Sequence, residues 1–284
     1  MTTIWDSGIP PKHRPITGPG WIRVATRALL LAVLVFGGLA ILLLARLIER
    51  PLCGLNRPVT PHITVFVCRN ALRILGLRHV IHGAPMAQNG AVVVNHASWL
   101  DIFVLNAAKR IYFVSKSEVA SWPGIGWLAR ATGTVFIERN PARAREQTAL
   151  FQARLLAGHK LLFFPEGTST DGRRVLTFKT TLFQSFFAQE LRDAIWVQPV
   201  SVLYSAPAGE EERFYGWWGD MSFGGHLIAT LAPARQGRVE VIYHPPLRVA
   251  DFADRKALAA ACEARVREGH ARMLAQAGET QPPT

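Results

Sequence analysis

The stretch "AVVVNHASWLDIFVLNAAKRIYFVSK", residues 91–116, decides how this chain folds. Its opening run, Ala91 to Val94, is apolar without polar alternation, the pattern of a strand buried on both faces. "SWLDIFVLNAA" (98–108) then reads as helix and "RIYFVSK" (110–116) as a second strand. Strand, helix and strand in that order make the crossover unit of a parallel sheet. The alternation continues with "GIGWLARAT" as helix, "GTVFIER" as strand, "NPARAREQTALFQARLLAG" as helix, "HKLLFFPEG" as strand, "TLFQSFFAQEL" as helix and "AIWVQPVSVLY" as strand. The expected class is therefore α/β, with a mixed, largely parallel sheet flanked by helices. Chemistry in such sheets gathers at the carboxyl ends of the strands. Upstream, "RHVIHG" and "AVVVN" flank the turn "PMAQNG" and read as a hairpin or two neighbouring strands. Downstream, "RVEVIYHPPLRV" is a strand broken by Pro-Pro, and "DRKALAAACEARVREGHARMLAQ" is a helix with an Ala-rich face.

The whole chain has 284 residues, 49% of them hydrophobic, enough for one sizeable domain plus extra segments. Its formal net charge of +12 asks for an anionic partner, either nucleic acid or a membrane surface. The run "ALLLAVLVFGGLAILLLA", Ala28 to Ala45, has no charged or strongly polar side chain and as helix would cover about 27 Å, the thickness of a bilayer core. "RLIERP" follows it where a signal peptide would carry a cleavage site, which favours a retained anchor. Lys12, Arg14, Arg23 and Arg27 precede the run, and Arg46, Arg50 and Arg57 follow it. That symmetry gives no direction by the positive-inside rule and suits a helix that enters the membrane and returns. "ITVFVCRNALRILGL" (63–77) is either the returning arm or an amphipathic helix packed on the globular part. The chain divides into a tail (1–27), membrane-anchoring helices (28–76), an α/β domain (77–250) and a C-terminal helix with a disordered end (251–284). Cys53, Cys68 and Cys262 lie far apart and odd in number, against a disulfide scaffold or zinc site and in keeping with a reducing compartment.

The chemistry starts where the first strand ends. Ser98 fits a helix N-cap with Asp101 at the third helical position, close to a capping box, so the carboxylate can serve first-turn backbone donors. The same spacing lets Asp101 bind one nitrogen of His96 and fix its tautomer, leaving the other as an outward-facing general base. The chain has no GxSxG elbow and no cysteine in a catalytic context, so a His-Asp pair here would activate a hydroxyl on the substrate.

The companions of "NHASWLD" give the spacing its meaning. It resembles the H-x4-D motif of the glycerolipid acyltransferases, the family that includes 1-acyl-sn-glycerol-3-phosphate acyltransferase. "GTVFIER" (133–139), "FFPEGTS" (163–169) and "VQPVSV" (197–202) resemble that family's second, third and fourth blocks, in family order. The resemblance implies a glycerol-3-phosphate acyltransferase-like fold over residues 77–250, preceded by an N-terminal membrane helix or two-helix membrane motif. It implies transfer of a fatty acyl group from acyl-CoA or acyl carrier protein to a lysolipid hydroxyl, at the inner cell membrane with the site facing the cytoplasm, without metal or further cofactor.

In that reading His96 takes the hydroxyl proton, Asp101 stabilises the imidazolium, and Asn95 with backbone amides near Gly167 are candidate oxyanion donors. Arg139 stands where the family places an arginine on the acceptor head group, and Lys116 matches a commonly basic position. Glu166 matches the third block's glutamate and either holds the turn or binds the acceptor; Gly167, Thr168, Ser169 and Lys179 complete the substrate-binding set.

The leading acceptor is 1-acyl-sn-glycerol-3-phosphate, giving phosphatidic acid. The alternative is lyso-ornithine lipid, because Ser169 stands where the phosphatidic-acid enzymes carry arginine and "FKTT" (178–181) replaces "FKKG". "EGTSTDGRRVLTFK", with "WWGDM" (217–221), resembles the lyso-ornithine lipid branch, whose acceptor has an amino-acid head group; Arg173 and Arg174 are possible substitutes for the lost arginine. A membrane lipid-binding protein without catalysis is the reading from another class. A nucleic-acid binder ranks last, since the arginines are scattered and no recognition motif is present. His79 and His82 fall on opposite faces of a strand and make no metal pair. The aromatic residues of "RFYGWWGDMSFGGH" line an acyl pocket, meet the membrane interface or pack in the core.

Overall fold

The computed structural model describes residues 4–138 and 144–279. Among the described residues eight strands form one sheet: β1 (Arg78–His82), β2 (Gly90–Val94), β3 (Tyr112–Lys116), β4 (Val135–Ile137), β5 (Leu161–Phe163), β6 (Trp196–Ser205), β7 (Arg238–Tyr243) and β8 (Leu247–Arg248). Their order is β1-β7-β6-β2-β5-β3-β4, with β8 also on β6. β6, β2, β5, β3 and β4 are mutually parallel, while β7 and β8 run antiparallel to β6 and β1 follows β7. The expected mixed, largely parallel sheet is present. The expected pairing of β1 with β2 is not: β7 and β6 stand between them. β1 runs parallel to β7, so "PMAQNG" is a crossing between separated strands and not a hairpin turn.

Both faces of the sheet are covered, which is why "AVVV" carries no polar alternation. Val92 and Val94 join one core with Leu72, Leu75, Leu100, Val104 and Leu231. Ala91 and Val93 join the other with Phe151, Phe183, Phe186, Leu258 and Val266. Each fully buried valine contributes roughly 1.5–3 kcal/mol. The helices beside the sheet are α3 (Asp101–Ala108), α4 (Ile125–Thr132), α5 (Ala144–Leu156), α6 (Gln189–Arg192), α7 (Phe223–Leu231) and α8 (Arg255–Glu279). "TLFQSFFAQEL" is not one helix: Leu182–Phe187 is a 3-10 turn and α6 a single turn after it, because Phe183 and Phe186, three apart, both point into the core.

Two helices precede the sheet, α1 (Gly18–Cys53) and α2 (Thr60–Leu75). α1 starts ten residues before the apolar run, inside the expected tail. Its first turns are held there by Arg23, which donates to the Ala232 carbonyl, and Arg27, which donates to those of Leu231 and Pro233. At its far end buried Glu49 accepts from the Val59 and Thr60 amides and the Thr60 hydroxyl, fixing the corner into α2. Midway, a Cβ on Gly38 would fall 2.4 Å from Val67, so glycine lets α2 return close alongside. α2 buries Cys68, Ala71, Leu72 and Leu75 and is thus an amphipathic helix seated on the α/β core. Leu29, Val33, Leu44, Leu47, Ile48 and Leu52 of α1 are exposed. Among the described residues α1 is the one helix long and apolar enough to cross a membrane.

Candidate active site

β2 ends at Val94, and the next residue turns the chain. Buried Asn95 donates to the Val202 carbonyl at 2.9 Å and accepts from its amide at 2.8 Å, clipping the end of β2 to β6. Both polar ends of its side chain take part in that clip. His96 follows, its ring stacked 3.9 Å from that of Phe164. Its Nδ1 lies 2.7 Å from Oδ2 of Asp101, which is fully buried. A carboxylate only accepts, so Nδ1 carries the proton and Nε2 presents a lone pair. The ring keeps about a fifth of its surface exposed.

Asp101 does more than orient the ring. Its Oδ2 also accepts from the amides of Ala97 and Ser98, at 3.0 and 3.1 Å, and Oδ1 accepts from the Tyr204 hydroxyl at 2.7 Å. The bond from Ser98 N–H is the acidic half of a capping box, although the helix itself begins at Asp101. Capping and orienting are therefore one carboxylate's two jobs. Burial and the Asp101 charge hold the Tyr204 phenol far above its ordinary range, so it remains a donor.

The rest of this short loop is equally committed. The His96 amide donates to Glu166 Oε1 (2.9 Å), its carbonyl accepts from the Thr170 amide (2.9 Å), and the Ala97 carbonyl accepts from the Trp217 amide (2.9 Å). Oε2 of Glu166 accepts from the Leu176 amide at 3.0 Å. Glu166 is buried and reached by two backbone donors: of its two expected roles it performs the first, holding the turn. Burial pushes its carboxyl up to about 8, against the pull of those N–H groups.

The remaining expected residues gather at the same carboxyl edge. Lys116 is the last residue of β3, two strand spacings or about 10 Å from β2. Gly167 adopts φ +73, and its amide closes the turn onto the Phe164 carbonyl. The Lys179 ammonium lies over it, 2.7 Å from where a Cβ would stand, and the Lys179 amide donates to the Pro165 carbonyl. The half-buried Thr168 and Ser169 follow, and among the described residues their amides meet no acceptor. Arg139 lies outside the described residues. Arg173 pairs with Glu212 at 2.9 Å and Arg174 grips Asp171 through two nitrogens, so both candidate replacement arginines already face acids. Among the described residues no three His, Cys, Asp or Glu side chains converge on a metal position.

The chain is similar to known proteins. Residues 77–203 match the profile of the Acyltransferase family. The chain is 58% identical to the lyso-ornithine lipid O-acyltransferase of Rhodobacter capsulatus over 266 residues, 94% of this chain and 96% of that one. This chain belongs to the acyltransferase family. A shorter match, 43% over 105 residues, covers 36% of the chain and 41% of the 1-acyl-sn-glycerol-3-phosphate acyltransferase of Neisseria gonorrhoeae. The fold is that of the crystal structure of PlsC, the 1-acyl-sn-glycerophosphate acyltransferase of Thermotoga maritima. The TM-score is 0.63 at 21% identity, covering 93% of this chain and 100% of the other. The protein is an acyltransferase of lysolipids, taking a lipid acceptor and an acyl donor.

Three parts of this acyltransferase's site escape sequence reading. Tyr204 lies 103 residues from Asp101 and ends an apolar strand, where its hydroxyl carries no local signal. Trp99 donates to Nδ1 of His226 on α7, and burial holds that imidazole down to about 4, keeping it a neutral acceptor. The expected tail is the third. Residues 4–17 cross the domain as a strap: the Trp5 ring sits 5.8 Å from Trp218 and under the Arg174 guanidinium, and its amide reaches the Thr168 hydroxyl at 3.4 Å. Farther along, the Lys12 amide donates to Glu211, and His13 packs edge-on to Phe214. Alternating aromatic and polar anchors spaced along an extended chain have no period to detect.

Proposed function

We propose that this protein is a lyso-ornithine lipid O-acyltransferase in which His96 is the general base and Asp101 its orienter. The observation that carries the chemistry is the Asp101-bound Nδ1, which leaves Nε2 as the basic face of a partly exposed ring. Nε2 takes the proton as the acceptor oxygen attacks the thioester carbonyl, and buried Asp101 stabilises the imidazolium. Collapse of the tetrahedral intermediate forms the ester, breaks the C–S bond and returns the proton to the leaving thiolate. The Thr168 and Ser169 amides are the donors left for the oxyanion. The thioester is acyl-CoA or acyl carrier protein.

Two features favour the amino-acid head group over phosphate. Ser169 replaces the expected head-group arginine, and Arg173 and Arg174 are each neutralised by an acid. The extent of the similarity to the Rhodobacter capsulatus enzyme supports the same acceptor. Membrane attachment is through α1, which is bonded to the globular domain before its apolar run and, beyond it, turns at Glu49 into α2. A helix held that way lies along one leaflet, with the site on the cytoplasmic face of the inner membrane, where thioester donors are made.

The test offers purified protein labelled acyl-CoA or acyl carrier protein together with lysophosphatidic acid and lyso-ornithine lipid. Ornithine lipid is the expected product, and phosphatidic acid alone would refute the acceptor. A His96→Ala protein that remains folded and membrane-bound should lose transfer; retained activity would refute the base.

A further inference from the structure

An open cleft of about 580 Å³ lies where α1 ends, beside the last turn of α4 that leads into the amino end of β4, whereas His96 follows the carboxyl end of β2. It is lined by Arg46, Arg50, Arg57 and Arg130, with Leu43 and Leu55 at its apolar side. Arg57 is fixed by donating to the Ala131 carbonyl, Arg130 by donating to that of Ala120, and Arg46 by Glu49. Arg50 has no acceptor among the described residues, and it is exposed. Behind Arg57, Arg154 is buried with its Nε unpaired.

The charge here is not balanced from within. Glu49 is the one carboxylate bonded to these arginines among the described residues, and it is already taken by Val59 and Thr60. Burial and neighbouring arginines hold Arg57 below the usual guanidinium range and bring Arg154 down to about 10. Several guanidinium forks facing one open cavity call for an anion with several acceptor oxygens. The apolar mouth says which kind. Leu43 and Leu55 continue into the exposed Leu44, Leu47, Ile48 and Leu52 of α1, so an anion seated here has acyl chains beside it along the helix.

We infer that this cleft is a second lipid site, distinct from the acyl-transfer site, that takes the phosphate-bearing head group of an anionic membrane phospholipid. The occupant is a bilayer component, held by Arg50, Arg130 and Arg57 while its chains lie against the end of α1. Its site lies by the amino end of β4 and not by His96 at the carboxyl end of β2, so it anchors and orients the enzyme and does not enter the reaction.

The test uses the full chain and vesicles of phosphatidylcholine, with or without a minor fraction of phosphatidylglycerol, read by co-flotation. Wild type binds the phosphatidylglycerol vesicles more tightly. In Arg50→Gln/Arg130→Gln that preference falls about thirty-fold, from about fivefold per arginine near a charged surface, and in Arg50→Lys/Arg130→Lys it falls several-fold because charge survives but the forks are lost. Binding to phosphatidylcholine alone, the melting temperature and acyl transfer in detergent micelles stay equal in all three proteins, which separates this site from the transfer site. A lysine variant that matches wild type would reduce the effect to diffuse surface charge and overturn the proposal. Displacement from the vesicles by inorganic phosphate or coenzyme A, at ionic strength matched with chloride, would assign the cleft to a soluble anion and overturn it equally.

Discussion

Asp101→Asn separates the two tasks of that carboxylate. The amide oxygen can stand at the Oδ2 position and keep the bonds from His96 Nδ1, Ala97 N and Ser98 N, while the amide nitrogen donates to a Tyr204 hydroxyl that turns to accept. The fold thus retains the three bonds to the Oδ2 position and a contact to Tyr204, whose own O–H loses its acceptor, and His96 keeps its tautomer. What disappears is the negative charge beside the imidazolium formed during transfer. With Nδ1 and Oδ2 2.7 Å apart, the centres of the two delocalised charges stand about 4 Å apart, and at an effective dielectric of about 20 their attraction is about 4 kcal/mol. That corresponds to a loss of about a thousandfold in kcat, with the acceptor KM nearly unchanged. Asp101→Ala should lose a similar rate and, in addition, stability of roughly 3 kcal/mol or more, since two backbone amides and the Tyr204 hydroxyl are left without their acceptor. Initial rates of acyl transfer in micelles and thermal unfolding of both variants measure the two effects. An Asp101→Asn enzyme within about tenfold of wild type would refute the argument that the carboxylate charge acts through His96.

Three further substitutions probe the surroundings. Glu166 has a folded-state pKa of about 8 against an ordinary 4.5, so the folded protein binds the extra proton between these values. Its contribution is full below pH 4.5 and lost as pH rises through about 8; Glu166→Gln should flatten that slope in denaturant titrations while lowering stability by about 1–3 kcal/mol, because the amide keeps one acceptor oxygen and its NH2 leaves either the His96 or the Leu176 amide without a partner. Gly167→Ala meets φ +73 and the Lys179 ammonium; a stability loss of about 1 kcal/mol and a raised acceptor KM, with kcat less affected, are expected from melting and steady-state kinetics. Tyr204→Phe removes the donor to Asp101 Oδ1. It should lower kcat about tenfold through the position of the carboxylate, at a stability loss of about 1–3 kcal/mol, with KM unchanged.

The parts legible in the sequence are those set by local pattern. "AVVVN" announced a doubly covered strand, and the spacing of His96 and Asp101 suggested both a cap and an orienter, each of which the geometry contains. Strand order was not legible for β1, because a strand's own pattern says what covers its faces and nothing of which edge it joins. The clip made by Asn95 is illegible for a related reason: a polar residue at a strand end does not announce the distant backbone, here Val202, that it bonds. Tyr204, His226 and the strap of residues 4–17 depend on contacts more than a hundred residues apart, which periodicity does not carry.

The bonds from Glu166 and Thr170 to the His96 backbone make the head-group loop and the base one mechanical unit. This sets a rule for redesign. Changing the acceptor by replacing the loop wholesale would release the histidine as well, and a variant dead toward every lipid would say nothing about selectivity. Diversity belongs at Thr168, Ser169, Arg173 and Arg174, between and beyond the two tethers, with Glu166 and Thr170 kept as fixed points of the library.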